Sequence, residues 1–289
     1  MYKGTYTALV TPFTDTGIDV PAFERLLDAQ IAAGITGVVP CGTTGETPTL
    51  SDAERDTVIG TAVKRAAGKC EVIAGTGSNS TAHTIAYTRR AKELGAKTAL
   101  VVVPYYNKPT QEGLYRHFRA VAEQAGLPVM LYNVPSRTGI DMTADTVVRL
   151  SEVPGIVAIK EACGSTDRVA ELRARCRADF SILSGDDALT LPMMAVGANG
   201  VVSVASNVEP ARVVQMVSAA LAGDYATARD QHLALRGLFT ALFVESNPTP
   251  AKAALAMRGA MQDTVRLPLV SANETTRALL KEVLAKLSH

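Results

Sequence analysis

Eight short stretches rich in β-branched and apolar residues recur along the chain, each followed by a longer segment whose apolar residues fall three and four apart. No other feature restricts the fold as tightly. The strands read as Tyr6 to Val10, Gly37 to Pro40, Glu71 to Ala74, Thr98 to Val103, Pro128 to Tyr132, Gly155 to Lys160, Phe180 to Ser184 and Gly200 to Val204. Segments such as Pro21 to Gly34, Ser51 to Gly68 and Thr81 to Gly95 lie between them and read as helices. A closing glycine in each supplies the left-handed residue that ends a helix. Ser51 with Glu54 has the spacing of a capping box at one helix start. A strand-helix unit repeating at roughly 30 residues implies parallel βαβ units, and eight of them imply a closed (β/α)8 TIM barrel. An open doubly wound sheet is the other arrangement open to such units. After Asn207 the strand signal stops, and Pro210 to Gly223, Tyr225 to Phe243, Pro250 to Gly259 and Glu274 to Leu287 read as helix. The first completes a barrel over residues 1–223, and the rest form a C-terminal all-helical appendage over residues 224–289. No linker rich in Pro, Gly or Ser divides them, so the appendage is expected to pack on the barrel.

Charge and composition narrow the partners. Apolar residues make up 47% and charged residues 20%, the balance of a folded chain. A formal net charge of +1 gathers no polyanion, so nucleic acid is not expected as a partner. No run resembles a signal peptide or reaches the roughly 18 apolar residues of a spanning helix, so no membrane partner is expected and the cytoplasm is the expected compartment. Cys41, Cys70, Cys163 and Cys176 show no C-x-x-C spacing, and His83, His117, His232 and His289 form no H-x-H or H-E-x-x-H pair. A metal centre therefore lacks its usual ligands.

In a (β/α)8 barrel the reacting groups stand at the C-terminal ends of the strands, and this is where the polar text gathers. Lys160 closes the run from Gly155, and alternation places it on one face with Ala158 and Ile156. Desolvation in a barrel mouth favours the neutral form of an amine, the form that attacks a carbonyl. Tyr132 shares a face with Met130, which brings a hydroxyl toward the lysine of the next strand. The Thr43-Thr44 pair within Gly42 to Glu46 offers hydroxyls and open backbone N–H groups that suit a carboxylate, although Gly-Thr-Thr-Gly is also an ordinary turn. Arg137, in the loop from Asn133 to Gly139, carries a planar fork suited to a carboxylate. Asp186 and Asp187 after the seventh strand disfavour phosphate. The stretch Gly75 to Ser80 imitates a dinucleotide fingerprint but lacks its third glycine.

Taken together, Gly42-Thr-Thr-Gly-Glu46, Tyr132-Asn-Val-Pro135, Ile159-Lys-Glu161 and Gly185-Asp186 resemble the signatures of the dihydrodipicolinate synthase family, in order, with the likeness running through Asn247-Pro248. The resemblance implies a pyruvate-dependent class I lyase in which Lys160 forms a Schiff base and no metal or organic cofactor takes part. It implies a proton relay of Thr43, Tyr132 and Tyr106, with Tyr106 reaching into a neighbouring subunit of a homotetramer. It sets the Thr44 backbone and hydroxyl on the pyruvate carboxylate and the Gly185 and Val202 backbones beside the lysine. The wider superfamily includes sugar-acid aldolases with the same lysine and tyrosine. Arg137 in Ser-Arg-Thr-Gly, with Pro104-Tyr-Tyr-Asn107, resembles the synthase version, which implies condensation of pyruvate with aspartate semialdehyde. Family members often carry a lysine feedback site, and Thr47, Pro48, Asp52, Arg55, Asn79, His83 and Tyr105 occupy its positions here. Asn79 and Tyr105 match, whereas inhibited members carry Glu at the position of His83 and often His at that of Arg55. The missing carboxylate implies weak inhibition by lysine or none.

Overall fold

A computed structural model describes residues 1–287, so His289 lies outside the described residues. In chain order the elements are β1 (Gly4–Ala8), a hairpin of β2 (Phe13–Thr14) and β3 (Gly17–Ile18), α1 (Val20–Ala32), β4 (Gly37–Val39), α2 (Asp52–Ala66), β5 (Glu71–Gly75), α3 (Thr81–Glu93) and β6 (Thr98–Val102). They continue as α4 (Gln111–Ala125), β7 (Val129–Asn133), the single turn α5 (Pro135–Thr138), α6 (Ala144–Ser151), β8 (Ile156–Glu161), α7 (Thr166–Arg175), β9 (Ser181–Ser184), α8 (Thr190–Ala195) and β10 (Gly200–Ser203). Four helices follow: α9 (Pro210–Leu221), α10 (Tyr225–Ala241), α11 (Thr249–Met257) and α12 (Glu274–Leu287). β1 and β4 to β10 close a parallel barrel in which β1 pairs with both β10 and β4. The expected (β/α)8 TIM barrel with C-terminal helices is therefore the observed fold.

Alternation along the strands builds two apolar layers. In β6, Leu100 points into the barrel, where it meets Tyr6, Ile73, Met130 and Leu183, while Ala99 and Val101 face the surrounding helices. The helices answer with matching stripes: Leu114, Phe118, Val121 and Ala125 of α4 are all buried. Burial of each large side chain of this kind contributes about 1.5–3 kcal/mol. The capping box at α2 is formed, with Ser51 N donating to Glu54 at 2.9 Å and Glu54 N to the Ser51 hydroxyl at 3.3 Å. In the C-terminal region α10 packs on α9 and α12, and α11 packs on α12.

Three departures from the sequence reading have local causes. β1 runs Gly4–Ala8 rather than from Tyr6 to Val10, because its ladder to β10 begins at the Gly4–Gly200 pair and Val10 N turns away to the Asn207 side-chain oxygen at 3.2 Å. Ile156 does not share the face of Lys160. The register between β7 and β8 shifts by one residue, Val129 opposite Ile156 but Met130 opposite Ala158, so Ile156 packs outward while Ala158 and Lys160 point inward. Arg137 sits on the helical turn α5 rather than in open loop, since Pro135 opens that turn and the Thr138 hydroxyl returns to Val134 O at 3.2 Å.

Barrel closure demands glycine at Gly200, whose φ is +150° and where a Cβ would stand 1.9 Å from the Gly4 carbonyl oxygen. Replacing Gly200 by Ala is expected to destabilise the protein by about 2–4 kcal/mol through overpacking and backbone strain, measured by chemical denaturation. A variant as stable as the parent contradicts this account of the seam.

Candidate active site

The C-terminal rim of the barrel opens into a cleft of about 420 Å3. Lys160, Tyr132, Thr43, Thr44, Arg137, Gly185 and Asp186 line it, together with the apolar residues Val134, Ala162, Val204, Phe239 and Phe243. Tyr132 and Lys160 are register partners on β7 and β8, and the lysine Nζ lies 4.2 Å from the centre of the tyrosine ring. Lys160 is only 5% exposed, so the amine is held in the mouth away from bulk water. Gly185 makes room for it, because a Cβ there would come within 2.7 Å of Ala162 Cβ and 3.0 Å of Lys160 Cε. A second, narrower space shares Thr43 and Tyr132 with this cleft and runs toward Leu100 and Val102.

The turn that carries the two threonines is built under constraint. Gly45 N and Glu46 N return to Gly42 O and Thr43 O, each at 3.1 Å, and the Thr11 hydroxyl holds Gly45 O at 2.8 Å. Asn247, which the sequence reading did not single out as a site residue, lines the cleft and ties it together. Its side-chain amide donates to the Thr44 hydroxyl oxygen at 2.9 Å, and its carbonyl accepts from Arg137 Nη2 at 3.2 Å. The Asn247 Oδ1 is buried and has no hydrogen-bond partner among the described residues. Because Thr44 Oγ1 already accepts from Asn247, its proton is free for an anion; Arg137 likewise spends one donor on Asn247 and keeps the rest of its fork.

The remaining expected residues stand elsewhere. Val202 is sealed in the inner apolar layer and does not line the cleft, where Val204 appears instead. Tyr106 lies outside the cleft, 89% exposed, on a backbone with φ of 75°. Around α2 and α3 a separate cleft of about 300 Å3 is lined by Asp52, Arg55, Asp56, Ile59, Tyr87 and Arg90, among others. Arg55 is buried there, stacked 4.3 Å over the Tyr87 ring and donating to Gly75 O at 2.8 Å. Of the other proposed feedback-site residues, Thr47, Pro48, Asn79, His83 and Tyr105 do not line this cleft. Among the described residues no helix is long and apolar enough to cross a membrane, and no group of three or more His, Cys, Asp or Glu gathers as a metal-ligand set.

Comparison with known proteins fits this geometry. A model of the Dihydrodipicolinate synthetase family matches residues 1–287. The chain belongs to that family. It is 53% identical over 288 residues to a 4-hydroxy-tetrahydrodipicolinate synthase from Sorangium cellulosum, covering 99% of this chain and 96% of the relative. The crystal structure of dihydrodipicolinate synthase from Aquifex aeolicus superposes with a TM-score of 0.97 at 48% identity, covering 99% of this chain and 98% of that one. A chloride-inhibited dihydrodipicolinate synthase from Acinetobacter baumannii, complexed with pyruvate, gives a TM-score of 0.98 at 42% identity over 100% of this chain and 99% of that one. Full-length likeness at this level makes the chain an enzyme of the 4-hydroxy-tetrahydrodipicolinate synthase kind, a lyase of the pyruvate-dependent aldolase class.

Behind the cleft, this family member carries a buried polar network that the sequence reading missed. Asn133 and Glu161 follow Tyr132 and Lys160 by one residue, so they point to the opposite side of the sheet while remaining register partners. Asn133 Nδ2 donates to Glu161 Oε1 at 2.9 Å and to Asp141 Oδ1 at 2.7 Å, Cys163 N donates to Glu161 Oε1 at 3.0 Å, and Asp141 pairs with Arg168 at 2.9 Å. On the next strand pair, the fully buried Asp187 accepts from Val204 N and Ala205 N, each at 2.9 Å, and so fixes the segment that presents Val204 to the cleft. Burial raises the Asp187 carboxyl above its ordinary range, against the pull of these hydrogen bonds.

Glu161 yields a pH prediction. Burial raises its carboxyl from the ordinary 4.5 to about 7, opposed by its hydrogen bonds from Asn133 and Cys163. The folded protein thus binds this proton more tightly than the unfolded chain. The resulting stabilisation is full below about pH 4.5 and is lost as pH rises through 7. Relative to a Glu161→Gln variant, the parent is expected to lose on the order of 3 kcal/mol between pH 4.5 and 8, read from denaturation midpoints. Stability curves that run parallel in pH contradict this.

Proposed function

We propose that this site condenses pyruvate with aspartate semialdehyde, with Lys160 as the Schiff-base lysine. The observation that carries the reading is a buried amine against the Tyr132 ring in a cleft that also holds two threonine hydroxyls and an arginine fork. A relative of this fold is described in complex with pyruvate, which agrees with the size and polarity of the cleft. In this proposal residues 1–223 form the catalytic barrel, residues 224–289, of which 288–289 lie outside the described residues, make up the helical region packed on it, and the enzyme works in the cytoplasm.

The Lys160 amine attacks the ketone of pyruvate, and loss of water leaves an imine. The imine draws electrons from the methyl carbon, which releases a proton and becomes an enamine. That carbon adds to the aldehyde of aspartate semialdehyde, the aldehyde oxygen taking up a proton as the new hydroxyl. The amine of the same substrate then attacks the imine carbon, expels Lys160 and closes the ring. Tyr132, Thr43 and Tyr106 carry protons in both halves, since each step moves one between nitrogen, carbon or oxygen and solvent. The pyruvate carboxylate rests on the Thr44 hydroxyl and backbone, beside Gly185 and the strand that carries Val202. The carboxylate of the second substrate takes the Arg137 fork.

Tyr106 supports the assembly in this reading. A tyrosine held 89% exposed on a left-handed backbone is an arrangement a lone chain gains nothing from, and it suits insertion into a neighbouring subunit of a tetramer. The apolar wall of Val134, Ala162, Val204, Phe239 and Phe243 favours a short semialdehyde over a sugar acid, whose hydroxyls would lose their water there without replacement. Feedback by lysine is proposed to be weak or absent, because His83 is exposed and brings no carboxylate to Arg55, Pro48, Asn79 and Tyr105.

Steady-state kinetics with both substrates test the roles. Tyr132→Phe is expected to lower kcat by about 10²–10⁴-fold. Arg137→Ala is expected to raise KM for aspartate semialdehyde by at least about tenfold, while the mass adduct trapped by borohydride with pyruvate persists. Turnover of sugar acids in preference to aspartate semialdehyde, or an Arg137 variant with unchanged KM, contradicts the proposal.

A further inference from the structure

The turn that presents Thr43 and Thr44 is bracketed by two non-glycine residues on left-handed backbone, Cys41 at φ 56° and Glu46 at φ 54°. Glycine adopts this conformation freely, and a long charged side chain does not. A glutamate at position 46 therefore has to contribute through its side chain. That side chain is buried, and its partners come from more than 200 residues away. Lys252 Nζ, itself 0% exposed, donates to Glu46 Oε1 at 2.5 Å, and Arg266 N donates to Glu46 Oε2 at 2.9 Å. The lysine also donates to Thr264 O at 2.8 Å and sits 4.1 Å from the centre of the Phe13 ring. On the same segment Arg266 stacks 4.2 Å from that ring, donates to Thr49 O at 2.8 Å and pairs with Glu54. Both carboxylate oxygens of Glu46 are thus engaged by groups that the C-terminal region supplies.

We infer that Lys252 and Glu46 are positioning residues: the ion pair clamps the left-handed end of the turn and so sets Thr43 and Thr44 at the height where the pyruvate carboxylate binds. A buried ion pair is a poor source of net stability, since the attraction mainly offsets the loss of hydration. Its retention beside a strained turn points to geometry. Asn247 reaches Thr44 from the same C-terminal region, so two anchors of one segment converge on one turn. Lys252 does not line the cleft and takes no part in bond making. Burial lowers its amine to about 8, against the pull of Glu46.

The inference rests on the proposed role of the two threonines, and the test separates the two. Glu46→Gln, Lys252→Met and the double variant are compared with the parent for melting temperature, for KM of pyruvate and kcat, and for the rate of borohydride trapping with pyruvate. Each single change leaves one buried charge unpaired and is expected to lower the melting temperature, and the double variant is expected to recover most of that loss. KM for pyruvate is nonetheless expected to stay at least about tenfold raised in the double variant, with kcat lowered as well because Thr43 of the proton relay moves with the turn. Adding Thr44→Val is expected to raise KM in the parent but by a much smaller factor in the double variant, whose turn is already displaced. A double variant with parental KM for pyruvate overturns the inference and leaves the pair structural only. Should the double variant or Lys252→Met not fold, Glu46→Gln, which keeps the shape and the acceptor for Arg266 N, carries the test through the same KM and the same Thr44→Val comparison. Absence of any pyruvate adduct on the parent enzyme overturns the reading of the site itself, irrespective of the pair.

Discussion

The proposed chemistry depends on one register: Tyr132 opposite Lys160 across β7 and β8. A slip of one residue in a parallel sheet sends every side chain of a strand to the other face, so the amine would leave the barrel mouth altogether. The one-residue shift at Val129 and Met130 absorbs Val157 and delivers Ala158 and Lys160 inward. One position further on, Asn133 and Glu161 are hydrogen-bonded on the other side of the sheet, which pins the same register from behind. The buried lysine, the phenol and the network outside the barrel are three views of a single alignment.

A second theme is that the helices after the barrel belong to the site. Phe239 and Phe243 form part of its wall, Asn247 joins Thr44 to Arg137, and Lys252 holds Glu46. Sites at the C-terminal rim of a barrel are assembled from loops, and loops hold a geometry only when something over-determines them. Here the closing segment supplies that constraint to the threonine turn, with its left-handed residues at both ends. Tight bonding on the barrel side alone, through Thr11 and the turn's own N–H groups, leaves Glu46 unexplained.

Much of this was legible in the residues and some was not, for physical reasons. Eight apolar runs separated by helical spacing were enough for the barrel, because strand and helix periods differ and the unit repeats. Lys160, Tyr132, Thr43, Thr44, Arg137, Gly185 and Asp186 all stand at strand ends in the sequence, and all line one cleft. Ile156 was placed on the wrong face because simple alternation carries no sign of a register shift, which depends on the partner strand. Asn247 and Lys252 were missed as site residues because their partners lie 203 and 206 positions away, and no local pattern encodes such pairing. A signal for Lys252 did exist: a lone lysine within Pro250-Ala-Lys-Ala-Ala-Leu, an otherwise apolar helical run, needs a buried partner.

Two lysines of this protein are buried at the barrel rim, Lys160 at 5% exposure and Lys252 at 0%, and they separate the account from its simplest rival. Peptide mapping of the enzyme after borohydride reduction with pyruvate reads directly which amine forms the imine. The account predicts one adduct per chain, on the peptide that contains Lys160, with Lys252 unmodified. An adduct on Lys252, or on a surface lysine with Lys160 unmodified, contradicts it.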